Sequence, residues 1–314
     1  MRLGASATLV AAIVLPLIRR RARVPDAVTA AAVVGGPMAL AVLVPRSRGR
    51  DVALYTLQMW GFAMAHELPY DDPEALRRRL RIRYPIVADR LLGLGELPTV
   101  RLQRALSRPG SVTALDRVLS IAHWAWFMEP HAALLFVQAR HVDRFPRAAR
   151  QIAATYDVGC ALYFIVPTAP PWWAGEHGHL GEPADGLGVK AAAAGEAPVR
   201  RIMVDTGEQL WRRAWEPLYG SLNGNPWAAM PSLHFATSLM AAIHLAEVGP
   251  LPGALGWGYA ATLAFALVYL GEHYVTDLLA GAAVVGVVRG GEPLAEPVVE
   301  AVNRVLRRLE RIAA

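Results

Sequence analysis

The sequence has few of the residues that cross-link or solvate a folded chain. Its single cysteine, Cys160, lies inside an apolar block, which excludes a disulfide framework and a thiolate metal site. Charged residues make up 18% of the 314 positions, whereas a soluble domain of this size carries about a quarter. Hydrophobic residues make up 54%. The composition is therefore not that of an ordinary soluble globular protein.

Long stretches without charge are the main positive feature. Residues 27–45 and 254–270 contain no Asp, Glu, Lys or Arg, and a helix needs about 20 predominantly apolar residues to cross a bilayer. The sequence therefore predicts an all-α, multi-span transmembrane bundle. The predicted spans are 3–18, 27–45, 51–67, 117–138, 151–167, 233–248, 254–270 and 274–289. The first could also be a signal peptide, but its arginines follow the apolar run, so we expect a retained span.

The excess of positive charge comes almost entirely from arginine. Lys and Arg number 32 against 26 Asp and Glu, a formal charge of +6. In a multi-span protein such arginines favour anionic lipid headgroups, so no nucleic-acid partner is expected. The run 46–50, the run 140–150 and the tail after Arg289 fall on one side, which the positive-inside rule makes cytoplasmic. The arginine-rich loop 68–116 violates that rule, because it falls on the opposite side with 168–232 and 271–273.

Three polar residues stand at the predicted non-cytoplasmic boundary. His273 and Asp277 are four apart and share one helix face, so the carboxylate can hold one imidazole nitrogen and leave the other as a nucleophile. His234 follows Pro231 and Ser232, a pair typical of a helix start, where free N–H groups favour an anion such as phosphate. Two imidazoles and a carboxylate at one depth suit phosphoryl transfer.

These motifs resemble a known family. Residues 231–234 (PSLH) and 271–277 (GEHYVTD) look like the second and third motifs of the type-2 phosphatidic acid phosphatase superfamily. The resemblance implies a six-helix membrane core, here after about two N-terminal helices, and metal-independent catalysis without a cofactor. It implies that His273 is the nucleophile, that Asp277 orients it and that His234 is the acid and base. The Leu after Pro-Ser, the His-Tyr-x-x-Asp form and residues 167–173 are similar to the inositol phosphorylceramide synthase branch.

The family's phosphate-binding residues are matched less well. Its first motif, Lys-x6-Arg-Pro, has a spacing match with Arg101 and Arg108-Pro109, in which Arg replaces Lys. These two arginines, with Ser232, are the predicted phosphate-binding residues. The Ser-Arg pair that usually precedes the third-motif His is replaced by Ala266 and Leu267. This departure favours a headgroup transferase over a simple phosphatase.

Other polar and aromatic residues are candidates for a substrate cavity. Polar residues inside predicted spans either line such a cavity or pair with each other across the bundle, and both readings stay open. Aromatic residues near the boundary either anchor the chain at the interface or flank a lipid headgroup. His177 and His179 form a loop His-x-His without a nearby third ligand, so no metal site is expected. The cavity candidates are His123, Asp157, Trp172, Trp173 and Tyr274, with Glu129 and His131 as further polar residues in a span.

The function predicted is transfer of a phosphoryl or phospho-headgroup, for example inositol phosphate, from a membrane lipid to a small alcohol through a phosphohistidine. The first alternative is a lipid or polyprenyl phosphate phosphatase with water as acceptor. A proton-coupled lipid transporter is a distant alternative, because the chain shows no internal repeat. The predicted organisation is N-terminal transmembrane helices (1–50), a catalytic membrane domain (51–289) and a cytoplasmic amphipathic tail (290–314) in which residues 297–313 lie on the membrane.

Overall fold

The computed structural model describes residues 1–181, 199–217 and 225–313. Within these residues the chain forms fourteen α-helices and no β-strand, which confirms the predicted all-α class. The helices are α1 (Arg2–Ala22), α2 (Asp26–Leu43), α3 (Arg48–Glu67), α4 (Pro73–Arg78), α5 (Arg83–Leu92), α6 (Pro98–Leu106), α7 (Ala114–Ala125), α8 (Glu129–Arg140), α9 (Phe145–Ile165), α10 (Pro171–Glu176), α11 (Ile202–Trp211), α12 (Leu233–Val248), α13 (Pro250–Tyr269) and α14 (Val275–Ala313).

Several helices have the length and composition of membrane spans. Helices α1, α2, α13 and α14 are long and apolar enough to cross a bilayer, and α12 is a shorter apolar helix. Helix α12 packs against α8, α9, α13 and α14, so it lies at the centre of the bundle. Its sequence, rich in Leu and Ala, has no Asp, Glu, Lys or Arg before Glu247, as burial on several sides requires. The chain is a multi-pass membrane protein.

The predicted span 117–138 is two helices in the structure. Helix α7 ends at Ala125, α8 begins at Glu129, and the amides of the three residues between them bond to carbonyls three positions earlier, in a tight turn. The reason is Pro130, which has no N–H to donate and whose ring clashes with the carbonyl four residues before it. The break leaves Trp126 in an irregular segment inside the bundle.

The last predicted span and the predicted surface helix 297–313 are one continuous helix, α14, although Pro293 and Pro297 lie inside it. Two glutamates join this helix to the same end of the bundle. Glu292 pairs with Arg147 at the start of α9, and Glu310 pairs with Arg50 in the first turn of α3. The final turns of α14 therefore run along this end of the bundle.

The opposite end of the bundle is covered by short helices from the arginine-rich loop. Helices α4, α5 and α10 contribute to one buried apolar cluster, and Tyr274, next to the start of α14, belongs to it. Isolated bridges from Thr168 to Arg81 and to Ala228 join three connecting segments here. This layer packs directly on the turn that precedes α14, and so it positions the polar residues described next.

Candidate active site

His273 and Asp277 form a contact at the start of α14. His273 lies in the turn between α13 and α14, where Gly271 adopts a positive φ of 79°. Its Nδ1 atom is 3.3 Å from Asp277 Oδ2, and the Tyr274 N–H donates to the same oxygen at 2.9 Å. Both side chains are buried, with 4% and 0% of their surface exposed. The carboxylate thus folds back over the first helical turn and holds the imidazole, as the four-residue spacing predicted.

His234 comes from the start of α12. Ser232 caps this helix by accepting a hydrogen bond from the Phe235 N–H at 3.3 Å, which confirms the predicted helix start. His234 Nδ1 then lies 3.2 Å from His273 Nε2. The structure therefore brings together the three side chains that the sequence predicted to share a site.

The contacts of His273 favour one assignment of the proton to its two ring nitrogens. An Nδ1–H that donates to the carboxylate of Asp277 leaves the lone pair on Nε2, the atom that faces His234. Burial lowers the pKa of His273 to about 4, while a hydrogen bond with the main chain of Ala229 acts in the opposite direction. The ring is therefore neutral at pH 7, and its Nε2 lone pair is available for attack.

Main-chain contacts hold the two halves of the site at a fixed separation. The Ser232 N–H donates to the main-chain oxygen of Asp277 at 2.9 Å, and the Tyr163 hydroxyl donates to the Pro231 oxygen at 2.8 Å. A Cβ atom added at Gly281 would lie 2.7 Å from the Ser232 carbonyl oxygen. Glycine at this position therefore allows α14 to approach the start of α12 closely enough for the histidines to meet.

Asp89 of α5 is a site residue that sequence reasoning missed. Its carboxylate accepts hydrogen bonds from the Val275 N–H at 3.0 Å, the Thr276 N–H at 2.8 Å and the Thr276 hydroxyl at 3.0 Å. These are free donors of the first turn of α14, so Asp89 caps the helix that carries Asp277. Burial raises the pKa of Asp89, and the three hydrogen bonds oppose that rise. No local spacing pointed to this residue, because its partners lie about 186 positions away.

Comparison with known proteins agrees with this geometry. A family model described as the PAP2 superfamily matches residues 86–290, more than half of the chain. The chain belongs to the PAP2 superfamily. The PAP2 match places it among enzymes of the phosphatidic acid phosphatase type, a family of lipid phosphatases and phosphotransferases.

A second comparison agrees with the branch that the motifs resemble. The chain is similar to an inositol phosphorylceramide synthase of Candida albicans (strain SC5314 / ATCC MYA-2876), with 26% identity over 176 residues. The match covers 54% of this chain and 35% of the length of that relative. No solved structure matches the chain.

Further rings surround the pair formed by His234 and His273. The His123 ring lies 4.8 Å from the His234 ring between centroids, so the predicted cavity residue adjoins the pair. The Trp126 ring lies 4.1 Å from His234, and its Nε1–H donates to Thr237 at 2.8 Å. His66 of α3, which no sequence pattern singled out, packs edge-on against Tyr163 at 5.5 Å. Imidazole and aromatic rings therefore pack directly around His234.

The other aromatic candidates lie beside the His273 turn. The Trp172 N–H donates to the Gly271 oxygen at 3.0 Å, and Arg201 stacks on the Trp172 ring at 3.8 Å. Trp173 instead stacks with His177 at 3.9 Å. Tyr274 is fully buried in the apolar cluster that covers this end of the bundle. Trp172 and Tyr274 thus support the turn that carries His273.

The polar residues inside the bundle that lie on α8 and α9 pair across helices. Asp157 accepts two hydrogen bonds from Gln58 of α3, at 2.9 and 3.0 Å. The Asp157 side chain lies on the exposed side of α9. His131 lies 2.8 Å from the Tyr55 hydroxyl, also on α3. These contacts support the interpretation in which Asp157 and His131 hold the helices of the bundle together. They do not bring Asp157 to His234 and His273.

The two arginines predicted to bind phosphate have other contacts. Arg101 of α6 pairs with Glu96 at 3.2 Å and donates to the Gly93 carbonyl. On the same helix Thr99 and Gln103 lie within 4 Å of a Cβ built at Gly271, so Arg101, two positions from each, lies on the other side.

Arg108 lies beyond the end of α6 and is exposed. The phosphate-binding role of Arg101 and Arg108 stays a prediction. Ser232, the third predicted phosphate-binding residue, uses its hydroxyl oxygen as the cap of α12.

Proposed function

We propose that the chain is a membrane phosphotransferase that moves a phosphoryl or phospho-headgroup from a lipid donor to a small polar alcohol through a phosphorylated His273. The observation that carries this proposal is the chain of contacts from Asp277 through His273 to His234, at 3.3 and 3.2 Å. A nucleophile held by a carboxylate and faced by an acid is the arrangement that covalent phosphoryl transfer needs.

In the first step, the Nε2 lone pair of His273 attacks phosphorus while the bond from phosphorus to the lipid oxygen breaks. The imidazolium form of His234 donates a proton to that leaving oxygen and becomes neutral. The two nitrogens are at hydrogen-bonding distance, so the substrate phosphorus must part the two rings when it enters. Asp277 stabilises the positive charge that develops on His273.

In the second step, the hydroxyl of the acceptor attacks the phosphorus held by His273. His234 removes the hydroxyl proton, the bond from nitrogen to phosphorus breaks, and both histidines return to their starting states. Water in place of the alcohol gives a lipid or polyprenyl phosphate phosphatase, the alternative function. The two reactions share the first step and differ only in the acceptor.

Two observations favour the transferase. The relative is an inositol phosphorylceramide synthase, and such a synthase is a transferase. In addition, the position where the family usually has an arginine before the third motif is Leu267, which is fully buried in an apolar cluster of α13 and α14. This chain therefore binds its phosphate group differently from members that have the Ser-Arg pair.

The test uses the purified protein in vesicles that contain phosphatidylinositol radiolabelled in its inositol phosphate group. Small polar alcohols and lipids with a free hydroxyl are added as acceptors. A labelled lipid or alcohol product that is absent with His273→Asn supports transfer. Label released only as free phosphate or free inositol phosphate, with every acceptor tried, would show hydrolysis instead.

We also propose that the site faces the non-cytoplasmic side of the cell membrane, with residues 1–50 as N-terminal helices, 51–289 as the catalytic domain and 290–314 as a cytoplasmic tail. The contacts between Glu292 and Arg147 and between Glu310 and Arg50 support this orientation, since they bring the runs 46–50 and 140–150 and the tail after Arg289 together at the end opposite the histidines. Labelling of single cysteines at Ser111 and Ser47 in sealed cells would test the two faces separately.

A further inference from the structure

A second cavity lies at the end of the bundle opposite the histidines. It has a volume of about 640 Å³ and is formed between the last turns of α14 and the segment that joins α2 to α3. Five arginines and one glutamate line it, and we name it the arginine cavity: Arg46, Arg304, Arg307, Arg308, Glu310 and Arg311.

Among the described residues, one carboxylate, Glu310, lines the arginine cavity against five arginines. Glu310 already pairs with Arg46 at 3.0 Å and with Arg50 at 3.0 Å. Within the described part of the chain, no carboxylate pairs with Arg307, Arg308 or Arg311. Their guanidinium groups are exposed and close together, which is unfavourable unless an anion binds.

The cavity lies at the level where the transmembrane helices end. Gln138, near the end of α8, donates to the main-chain oxygen of Arg48 at 3.0 Å, so the start of α3 and the end of α8 are level. The start of α9 follows α8 by a short turn and meets Glu292 of α14. Glu310 meets the start of α3. The 17 residues between these two glutamates therefore run across the bundle at one depth.

The same segment presents apolar side chains to the outside. At the angular spacing of an α-helix they fall within an arc of about 80°, beside the arc that holds the arginines. A surface helix with one exposed apolar face and flanking arginines inserts that face at the boundary between headgroups and acyl chains. The exposed apolar residues are Leu294, Val298, Val302, Val305 and Ile312.

We propose that the arginine cavity binds the phosphate-bearing headgroup of an anionic phospholipid, whose acyl chains lie along the apolar face of α14. Arginine is the residue best suited to hold a phosphate, because its planar donors can bind two oxygens together. The apolar arc beside the cavity identifies the ligand as a lipid, since the acyl chains of a lipid can pack on that arc and a free anion has no apolar part that could do so. This lipid is distinct from the substrate, because its site is separated from His273 by the length of the bundle.

The test measures lipid binding directly, by native mass spectrometry of the detergent-purified full chain with added phosphatidylglycerol or phosphatidylcholine. Arg307→Gln/Arg308→Gln removes two cavity charges. Arg77→Gln/Arg78→Gln removes two exposed arginines of α4 at the other end and is the matched control. At roughly 1 kcal/mol for each arginine near a lipid surface, the cavity variant is expected to bind phosphatidylglycerol about 30-fold more weakly, and the control is expected to bind it normally.

Preferential binding of phosphatidylglycerol that only the cavity variant loses would support the proposal. Equal loss in both variants, or equal binding of the two lipids, would overturn it, as would competition by inorganic phosphate as strong as by the lipid. A change in oligomeric state of the cavity variant without a change in lipid binding would assign the surface to a second copy of the chain and also refute the proposal. The measurement is repeated with His273→Asn, so its outcome does not depend on the proposed reaction.

Discussion

The backbone N–H of Ser232 donates to the backbone oxygen of Asp277 at 2.9 Å. This bond joins the start of α12 to the first turn of α14, and each of these helix starts carries or adjoins one of the paired histidines. The distance between the imidazoles is therefore set by main-chain packing rather than by the two side chains alone.

Gly281→Ala should separate these two helix starts. The added Cβ would meet the Ser232 oxygen at 2.7 Å, so the helices must move apart. We expect kcat to fall by about tenfold to a hundredfold, since small displacements of reacting groups have effects of this size. Gly286→Ala is the control on the same helix, because nothing lies within 4 Å of its Cβ position. Steady-state kinetics of both variants would check this, and equal kcat values would contradict it.

Substitution of the two histidines should give different losses. His273→Asn removes the proposed nucleophile, so we expect turnover to fall at least about 10⁴-fold and no phosphoenzyme to form. His234→Asn removes the proposed acid and base, and we expect a fall of about 10²–10⁴-fold with phosphoenzyme still detectable. An acid-labile, alkali-stable label on the protein, followed by gel electrophoresis, measures this. Labelling that survives in His273→Asn would exclude His273 as the nucleophile.

Asp89→Ala should impair catalysis without removing any group that contacts substrate. The carboxylate holds three donors of the first turn of α14, and its loss lets the turn that carries Asp277 and His273 shift. We expect kcat to fall about tenfold to a hundredfold while KM changes little. Thr276→Val removes one of the three bonds and should have a smaller effect. A raised KM with unchanged kcat would show that Asp89 does not position the nucleophile.

Glu272→Gln should change how stability depends on pH. Burial raises the pKa of Glu272 to about 7 from an ordinary 4.5, against the opposing effect of Arg201. Between these values the folded state holds a proton that the unfolded state has lost, so stability falls as pH rises from about 4.5 to 7. Glutamine removes this loss, worth up to about 3 kcal/mol.

We therefore expect the apparent melting temperature of Glu272→Gln to exceed that of the unsubstituted protein at pH 8 and to match it near pH 4. Thermal unfolding in detergent across this range gives the comparison. Parallel curves for the two proteins at every pH would show that Glu272 titrates normally in the fold.

The parts of the site set by short-range spacing were predictable. The contact between His273 and Asp277 could be predicted from their four-residue spacing on a helix. The start of α12 could be predicted from Ser232, because serine is a preferred N-cap residue. The meeting of His234 with His273 followed from placing two helix starts on one face of the membrane. The order of the apolar blocks along the chain determines on which face of the membrane each helix starts.

Contacts that depend on how a loop folds were not predictable. Asp89 meets α14 only because the arginine-rich loop folds into short helices over that end of the bundle. The side of α6 on which Arg101 lies is likewise decided by the packing of Gln103 against Tyr269. Pro130 alone would have predicted the break between α7 and α8. The residues on both sides of it are mostly apolar, so 117–138 was predicted as a single span.

The close approach of Trp126 to His234, at 4.1 Å, has a practical consequence. We expect the fluorescence of this indole to fall when the His234 ring gains a proton, and to change again when the proposed phosphoryl group enters between the histidine rings. The chain has nine tryptophans, but only the difference between the natural protein and Trp126→Phe reports on this one. We therefore expect the fluorescence of Trp126 to serve as an optical probe of the two proposed chemical steps, without a labelled substrate.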